Sequence, residues 1–517
     1  MAEQVLAEEL HTELIPGTEV MRDVGDVHFV HGPKSGAVLI PHPSEDPADP
    51  LNWTLPWKYL AVVAQTLFTW TAVASALSMA PMFPLLGAEF GLDETQESLL
   101  TGVCVLALGY ANFIIVPLSN IFGRRMTSLL LCVFSIGTCI WEAEAKSYNS
   151  LLAARVLNGF GTATSESLMV QVVADIFFLH ERGFWAGIYL YGWRSFFWLS
   201  LALSCVNLLA LVFVFPETKF ARSEPPIQHE GHIKEAVDVA PPEKDTSSQH
   251  EYGTRLPVSQ VGKGRPSKSQ YKLWQQPDPA WKSFLIRDIV APVPAFFIPI
   301  ILWAALNVAG PANLLLLWNL TESSVLSSPP YNFSVSAVGY ANFAFVVGGL
   351  IGLATAGPLS DKVAERATRR NNGIREAEMR LPALIPFFVT SVIGIVIGSC
   401  AIQYKWHWAY ILVIGYGLTG LCVTSVPTIA IAYAVDCYKP ISGEIMVVAT
   451  VIKNTCGFAM SYWVTPLNER EGFIAPGMVE FALTIGPILL GLPLYFWGKK
   501  LRHLTRNSPV HRWETKI

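Results

Sequence analysis

Pro117-Leu118-Ser119-Asn120-Ile121-Phe122-Gly123-Arg124-Arg125 closes one apolar stretch of this chain, and Gly357-Pro358-Leu359-Ser360-Asp361-Lys362 closes another. Each runs through a Pro-Leu-Ser step, then an amide or carboxylate, then positive charge. The same signature at two membrane-span ends implies two related halves. Paired helical bundles of this kind are how secondary transporters are built.

Composition agrees. Of 517 residues, 52 % are hydrophobic and 15 % charged, and the mean hydropathy is +0.39. A soluble chain carries about a quarter charged residues. Here charge gathers in the first 56 residues, in 217–287, in 362–380 and in 499–517. The net charge of −4 carries no nucleic-acid signal. The polar, Pro-rich N-terminal stretch has no early apolar core, so no cleaved signal peptide is expected. The eight cysteines (Cys104, Cys132, Cys139, Cys205, Cys400, Cys422, Cys437, Cys456) lie in or beside apolar stretches and read as small buried residues, not as disulfides or a metal site.

A crossing helix needs about 20 apolar residues. Candidate spans cover 58–80, 98–118, 126–145, 151–178, 194–215, 289–309, 335–357, 381–402, 407–432, 443–465 and 474–497, eleven in all. Lys and Arg crowd 362–380 and 499–517 and follow the second span, whereas 81–97 and 310–334 hold none. By the positive-inside rule both termini are cytosolic. The sequons at Asn319 and Asn332 are then expected outside and glycosylated, and the one at Asn52 cytosolic and unmodified.

Eleven spans cannot put both ends on one side. The repeat locates the fault. Asp175 closes the fourth span in Val173-Ala174-Asp175-Ile176-Phe177, and Asp436 closes its counterpart in Ala434-Val435-Asp436-Cys437-Tyr438. From there to the end of its half, the N-terminal copy is short by about 21 residues, one crossing. The expected architecture is therefore all-α and membrane-embedded. It has a cytosolic tail (1–56), an N-terminal half (57–216) lacking most of its fifth helix, a cytosolic linker (217–287), a C-terminal half (288–498) and a cytosolic tail (499–517). In the linker, Gly262-Lys263-Gly264-Arg265-Pro266-Ser267-Lys268-Ser269 nearly spells a phosphate loop. Ser267 replaces the needed Gly, Pro266 intrudes and no strand precedes it, so it reads as solvated linker.

Glu166 is the sharpest chemical signal. A carboxylate in mid-span costs several kcal/mol unless paired, protonated or facing water, which makes it a proton-coupling candidate. Arg155 lies close to three helical turns earlier on the same face; its bland alternative is snorkelling to the interface. Asn120, Arg124, Arg125, Asp361 and Lys362 sit at cytosolic helix ends as candidates for a conformational latch, with Asp175 and Asp436 as partners. Prolines break the seventh and tenth spans, and discontinuous helices tend to line cavities. Trp70, Trp303, Asn307, Asn342, Tyr416 and Tyr433 are the candidate cavity wall. No catalytic, metal or cofactor site can be drawn.

These residues resemble the major facilitator superfamily, and within it the fungal branch of twelve-spanner drug:proton antiporters. The likeness covers about 41–515. It is carried by Pro41-His42-Pro43-Ser44-Glu45-Asp46-Pro47-Ala48-Asp49-Pro50-Leu51-Asn52-Trp53, by Asp175 through Gly183, by Phe215-Pro216-Glu217-Thr218, and by Asn372-Gly373 with Glu376-Ala377-Glu378-Met379-Arg380-Leu381. At 116–125 the family's Gly, Asp and Arg are Val116, Asn120 and Ile121; its antiporter stretch, due between Tyr191 and Gly192, is absent. The resemblance implies proton-coupled efflux of a small organic molecule such as a fungal metabolite or drug. It further implies alternating access and a monomer in the plasma membrane. Proton-driven uptake of a nutrient or polyamine, and a non-transporting sensor, are the alternatives.

Overall fold

The computed structural model describes residues 18–20, 44–163, 193–220 and 263–505, apart from isolated positions inside those ranges. It is almost wholly helical, the form that satisfies every backbone polar group within the segment itself.

In the N-terminal half, α1 spans Leu55–Leu77 and the short α2 spans Phe83–Phe90. Helix α3 (Glu94–Phe122) opens on a capping box between Asp93 and Gln96. It ends at Gly123, whose φ of +91° only glycine adopts freely, and α4 (Arg124–Glu144) begins at once. Helix α5 covers Tyr148–Thr162 behind a Ser147 cap, and α6 covers Trp193–Phe213. The expected loss of a fifth helix falls between α5 and α6, and residues 164–192 lie outside the described residues.

After the amphipathic α7 (Trp281–Val290), the C-terminal half forms six passes. They are α8 (Pro299–Ser327), then α9 (Val335–Ala341) joined at Asn342 to α10 (Phe343–Arg370), and α11 (Ile385–Gln403). A π-helical stretch, Tyr410–Tyr416, leads into α12 (Gly417–Cys437). Then come α13 (Ser442–Glu471) and the pair α14 (Ile474–Leu489) and α15 (Gly491–Thr505), bent by 44°. Among the described residues seven helices are long and apolar enough to cross a bilayer, eight if the bent pair is one span.

Two expectations are corrected. The seventh span is Pro299–Ser327, not 289–309. Pro292, Pro294 and Pro299 interrupt the chain, and proline suits the first turn of a helix, so α8 starts at Pro299 and runs on through Pro311. The Lys/Arg-free stretch after 310 is therefore largely helix. Both Pro-Leu-Ser steps likewise lie inside helices, Pro117 in the closing turns of α3 and Pro358 within α10.

Lipid supplies no hydrophobic force between helices, so close packing and polar contacts hold them. Helices α10 and α12 meet backbone to backbone, Gly348 against Gly417 and Gly420 against Phe345. The two halves meet along α3 and α13. Gly102 faces Ser461, Gly109 faces Asn454, and Val116 packs with Val447 and Val451. Ser461 Oγ donates to Ser98 O at 3.1 Å.

Candidate functional site

Ionic clusters close both halves at one end, here called the basic end. In the N-terminal half the N-terminus of α4 leaves backbone N–H groups unpaired within its own helix. Glu217, arriving after α6, caps them: its Oε1 accepts from Arg124 N at 2.9 Å and its Oε2 from Arg125 N at 3.1 Å. Burial pushes the Glu217 carboxyl up, against the downward pull of the Lys219, Arg124 and Arg125 N–H groups. The buried Arg125 guanidinium donates to the carbonyls of Leu211, Val212, Phe215 and Tyr271, which ties α4 to the end of α6. Arg124 donates to Ser119 O and to Asn120 Oδ1, both at 3.0 Å. Asn120 in turn donates to Asp288 of α7 at 2.6 Å.

The C-terminal half uses the same step differently. Arg380 bridges Asp361 of α10 (2.9 Å) and Asp436 of α12 (2.7 Å), and also reaches Ser360 Oγ. Arg375 adds a second contact to Asp436 at 3.4 Å, and burial pushes its guanidinium down. Arg502 of α15 pairs with Glu376 and Glu378, and Lys499 with Glu376. The strand β2, Ile374–Glu376, pairs antiparallel with β1, Thr18–Val20. Thus Asp361 and Asp436 come together through Arg380. Lys362 is exposed on α10. Asp175 lies outside the described residues.

At the far end of the N-terminal half, Arg155 of α5 and Glu142 of α4 form a fully buried pair at 3.3 Å. Asn158 donates to the other Glu142 oxygen at 2.8 Å, and Arg155 also donates to the carbonyls of Ser75, Ala76 and Leu100. Arg155 therefore does not snorkel. Glu166, its expected partner, lies outside the described residues. Sequence reading missed Glu142, which lies in the last turn of the neighbouring helix α4.

The C-terminal half buries two further carboxylates that sequence reading missed, Glu322 of α8 and Glu480 of α14, both with no exposure. Glu322 accepts a bond from Asn342 Nδ2 at 3.1 Å; among the described residues neither oxygen of Glu480 has a hydrogen-bond partner. Lys453 lies half-buried near the middle of α13. Their signal was available: each is an ionisable residue inside an apolar helix, a functional candidate by default.

The expected cavity wall is only partly met. Trp303 donates to Pro487 O at 2.8 Å and stands edge-on to Tyr433, and Asn307 donates back to Trp303 O. All three are buried inside the C-terminal bundle; the Trp303 indole ties α8 to α14, the Asn307 bond stays within α8, and the Tyr433 hydroxyl donates to Glu378 at 3.5 Å. Asn342 instead donates to Glu322. Trp70 lies on α1, and its side chain is outside the described residues. Asn319, expected in an outer loop, lies within α8 and is 8 % exposed. Asn332 is exposed in the loop before α9, with φ +50°. Asn52 is buried, its amide donating to Ser44 O and Asp46 O.

Two helical bundles, closed at one end by matching ionic clusters and joined along α3 and α13, define a membrane transporter. The description of the Major Facilitator Superfamily matches residues 65–190 and 185–459, and the chain belongs to that family, which comprises transporters and not enzymes. It is 26 % identical over 553 aligned positions to an uncharacterized MFS-type transporter of Schizosaccharomyces pombe, covering 96 % of this chain and 94 % of the relative. It is 24 % identical over 462 positions to a probable efflux pump of Aspergillus flavus, covering 83 % of this chain and all of the relative. Among solved structures, the proton:xylose symporter XylE shares the fold, with a TM-score of 0.53 at 14 % identity over 90 % of this chain and 99 % of that one.

Proposed function

We propose that this transporter exports a small organic molecule by alternating access, in exchange for protons entering down their gradient. The basic end faces the cytosol of a fungal cell, and the protein acts as a monomer in the plasma membrane. The observation that carries the coupling is the set of buried carboxylates Glu142, Glu322 and Glu480, of which only Glu142 has a cationic partner among the described residues. A buried anion without a counter-charge costs several kcal/mol, so such a group is retained where its charge must change. Glu166 belongs to the same class on its sequence position. Export, not uptake, is supported by the likeness to the probable efflux pump of Aspergillus flavus.

The Asp361–Arg380–Asp436 bridge and the Asn120–Asp288 contact serve as the latch that holds the cytosolic ends closed while the outer side is open. The test is purified protein in liposomes loaded with rhodamine 6G or a panel of fungal metabolites, under an imposed proton gradient. Solute movement opposite to the protons supports export. Movement with the protons supports uptake, and saturable binding without flux supports a sensor.

A further inference from the structure

Glu322 sits on α8 about 8 Å before that helix ends. Its Oε1 accepts from Asn342, and its Oε2 has no hydrogen-bond partner among the described residues. The remaining surround is aromatic. Tyr416 is fully buried, and its hydroxyl also has no hydrogen-bond partner among the described residues. The Tyr416 ring stacks on Phe345 at 4.3 Å between centroids, and Trp318 lies 5.6 Å from it. Helices α9 and α10 present Asn342 and Phe345. Among the described residues, none of the elements packed against α8 brings a lysine or arginine into interaction with Glu322.

Charge and room decide what this site takes. A calcium ion wants six to eight oxygens, and an organic ammonium wants open space. The side chains here offer few oxygens, and their rings are already stacked on one another. A proton needs neither. The neutral acid fits an apolar, aromatic surround, whereas the anion must be hydrated or draw its one amide donor closer.

That donor is placed to transmit the change. Asn342 is the C-cap of α9 and the residue before α10, so its side chain sits on the joint between a seven-residue helix and a long one. We propose that Glu322 is a proton-binding site of the C-terminal half, with Oε2 taking the proton and Asn342 coupling its charge to the α9–α10 joint. This rests on the proton-coupled reading above and deepens it. Protons arrive from the outer side, where α9 lies. Binding neutralises Glu322 and relaxes its hold on Asn342. Proton loss restores a charge-assisted bond and draws water in, which displaces α9.

The experiment is infrared difference spectroscopy of the purified full chain, titrated with acid, on wild type, Glu322→Gln and Tyr416→Phe. The wild type should show a carboxylic-acid carbonyl band that titrates. Glu322→Gln should lose that component, and Tyr416→Phe, which keeps the ring packing, should shift its midpoint. In liposomes Glu322→Gln should lose gradient-driven rhodamine 6G flux to the level of protein-free vesicles while keeping gradient-free counterflow. An unchanged titrating band in Glu322→Gln, or full gradient-driven flux by that variant, overturns the proposal. A band that behaves as expected in a wild type whose flux ignores the gradient supports the site and overturns proton-coupled export.

Discussion

Arg155 shows what one residue's neighbours can reveal that its own helix cannot. Helical periodicity pointed along α5 towards Glu166, but the described partner is Glu142 on α4, across a short turn. Spacing within one helix carries no information about which face of the next helix it meets, so this pairing was illegible until α4 and α5 were placed side by side. The pair is buried and its remaining donors are used on carbonyls of α1 and α3. Removing one member leaves a buried charge without its partner, which costs about 3–5 kcal/mol. Arg155→Ala should therefore lower the melting temperature of detergent-purified protein sharply, and Arg155→Ala with Glu142→Gln should recover part of the loss. A single variant as stable as wild type would show that the pair is not structural. The aromatic and amide residues fared unevenly for a related reason. Trp303 and Tyr433 spend their polar tips on Pro487 and Glu378, and Asn307 donates within its own helix, whereas Asn342 donates to Glu322, an acid in a stretch that reads as an outer loop.

At the scale of elements, the position of α8 has the widest consequences. A stretch free of lysine and arginine reads equally as an outer loop or as the end of a helix. Asn313, Asn319, Thr321, Glu322 and Ser323 lie in that stretch, yet all are buried. Only the packing separates the two readings. Mass-spectrometric mapping should find glycan at Asn332 and none at Asn319 or Asn52; glycan on Asn319 would put that turn of α8 outside the bundle. The contact between α10 and α12 gives a second prediction. A side chain at Gly348 collides with the Gly417 backbone, which cannot move aside as a flexible side chain can. Gly348→Val should cost about 1–3 kcal/mol through overpacking, seen as a lower melting temperature. Gly137, whose surroundings are open, should tolerate alanine.

For the molecule as a whole, the repeated Pro-Leu-Ser step marked residues that the basic-end clusters contain, Asn120 and Arg124 in one and Asp361 in the other. The seam along α3 and α13 was not legible, since glycine and serine spacing does not say which helix lies opposite. The missing crossing inferred from span count and charge falls on residues 164–192, outside the described structure; if a crossing is short there, adding about 21 residues between Tyr191 and Gly192 should raise expression and flux. The basic-end clusters lead to a functional prediction. Arg380→Gln removes the bridge between Asp361 and Asp436 while leaving Glu322 and the seam untouched. It should slow transport without weakening substrate binding; an unchanged transport rate would remove the latch from the mechanism.

Proton-coupled export is tested by reading both partners at once. Full-length protein is reconstituted into liposomes with a lumenal pH dye, and solute and proton movements are followed together after a substrate is added. Solute moving one way should drive protons the other way, in wild type and not in Glu322→Gln. Solute flux with no accompanying proton movement in the wild type would contradict it.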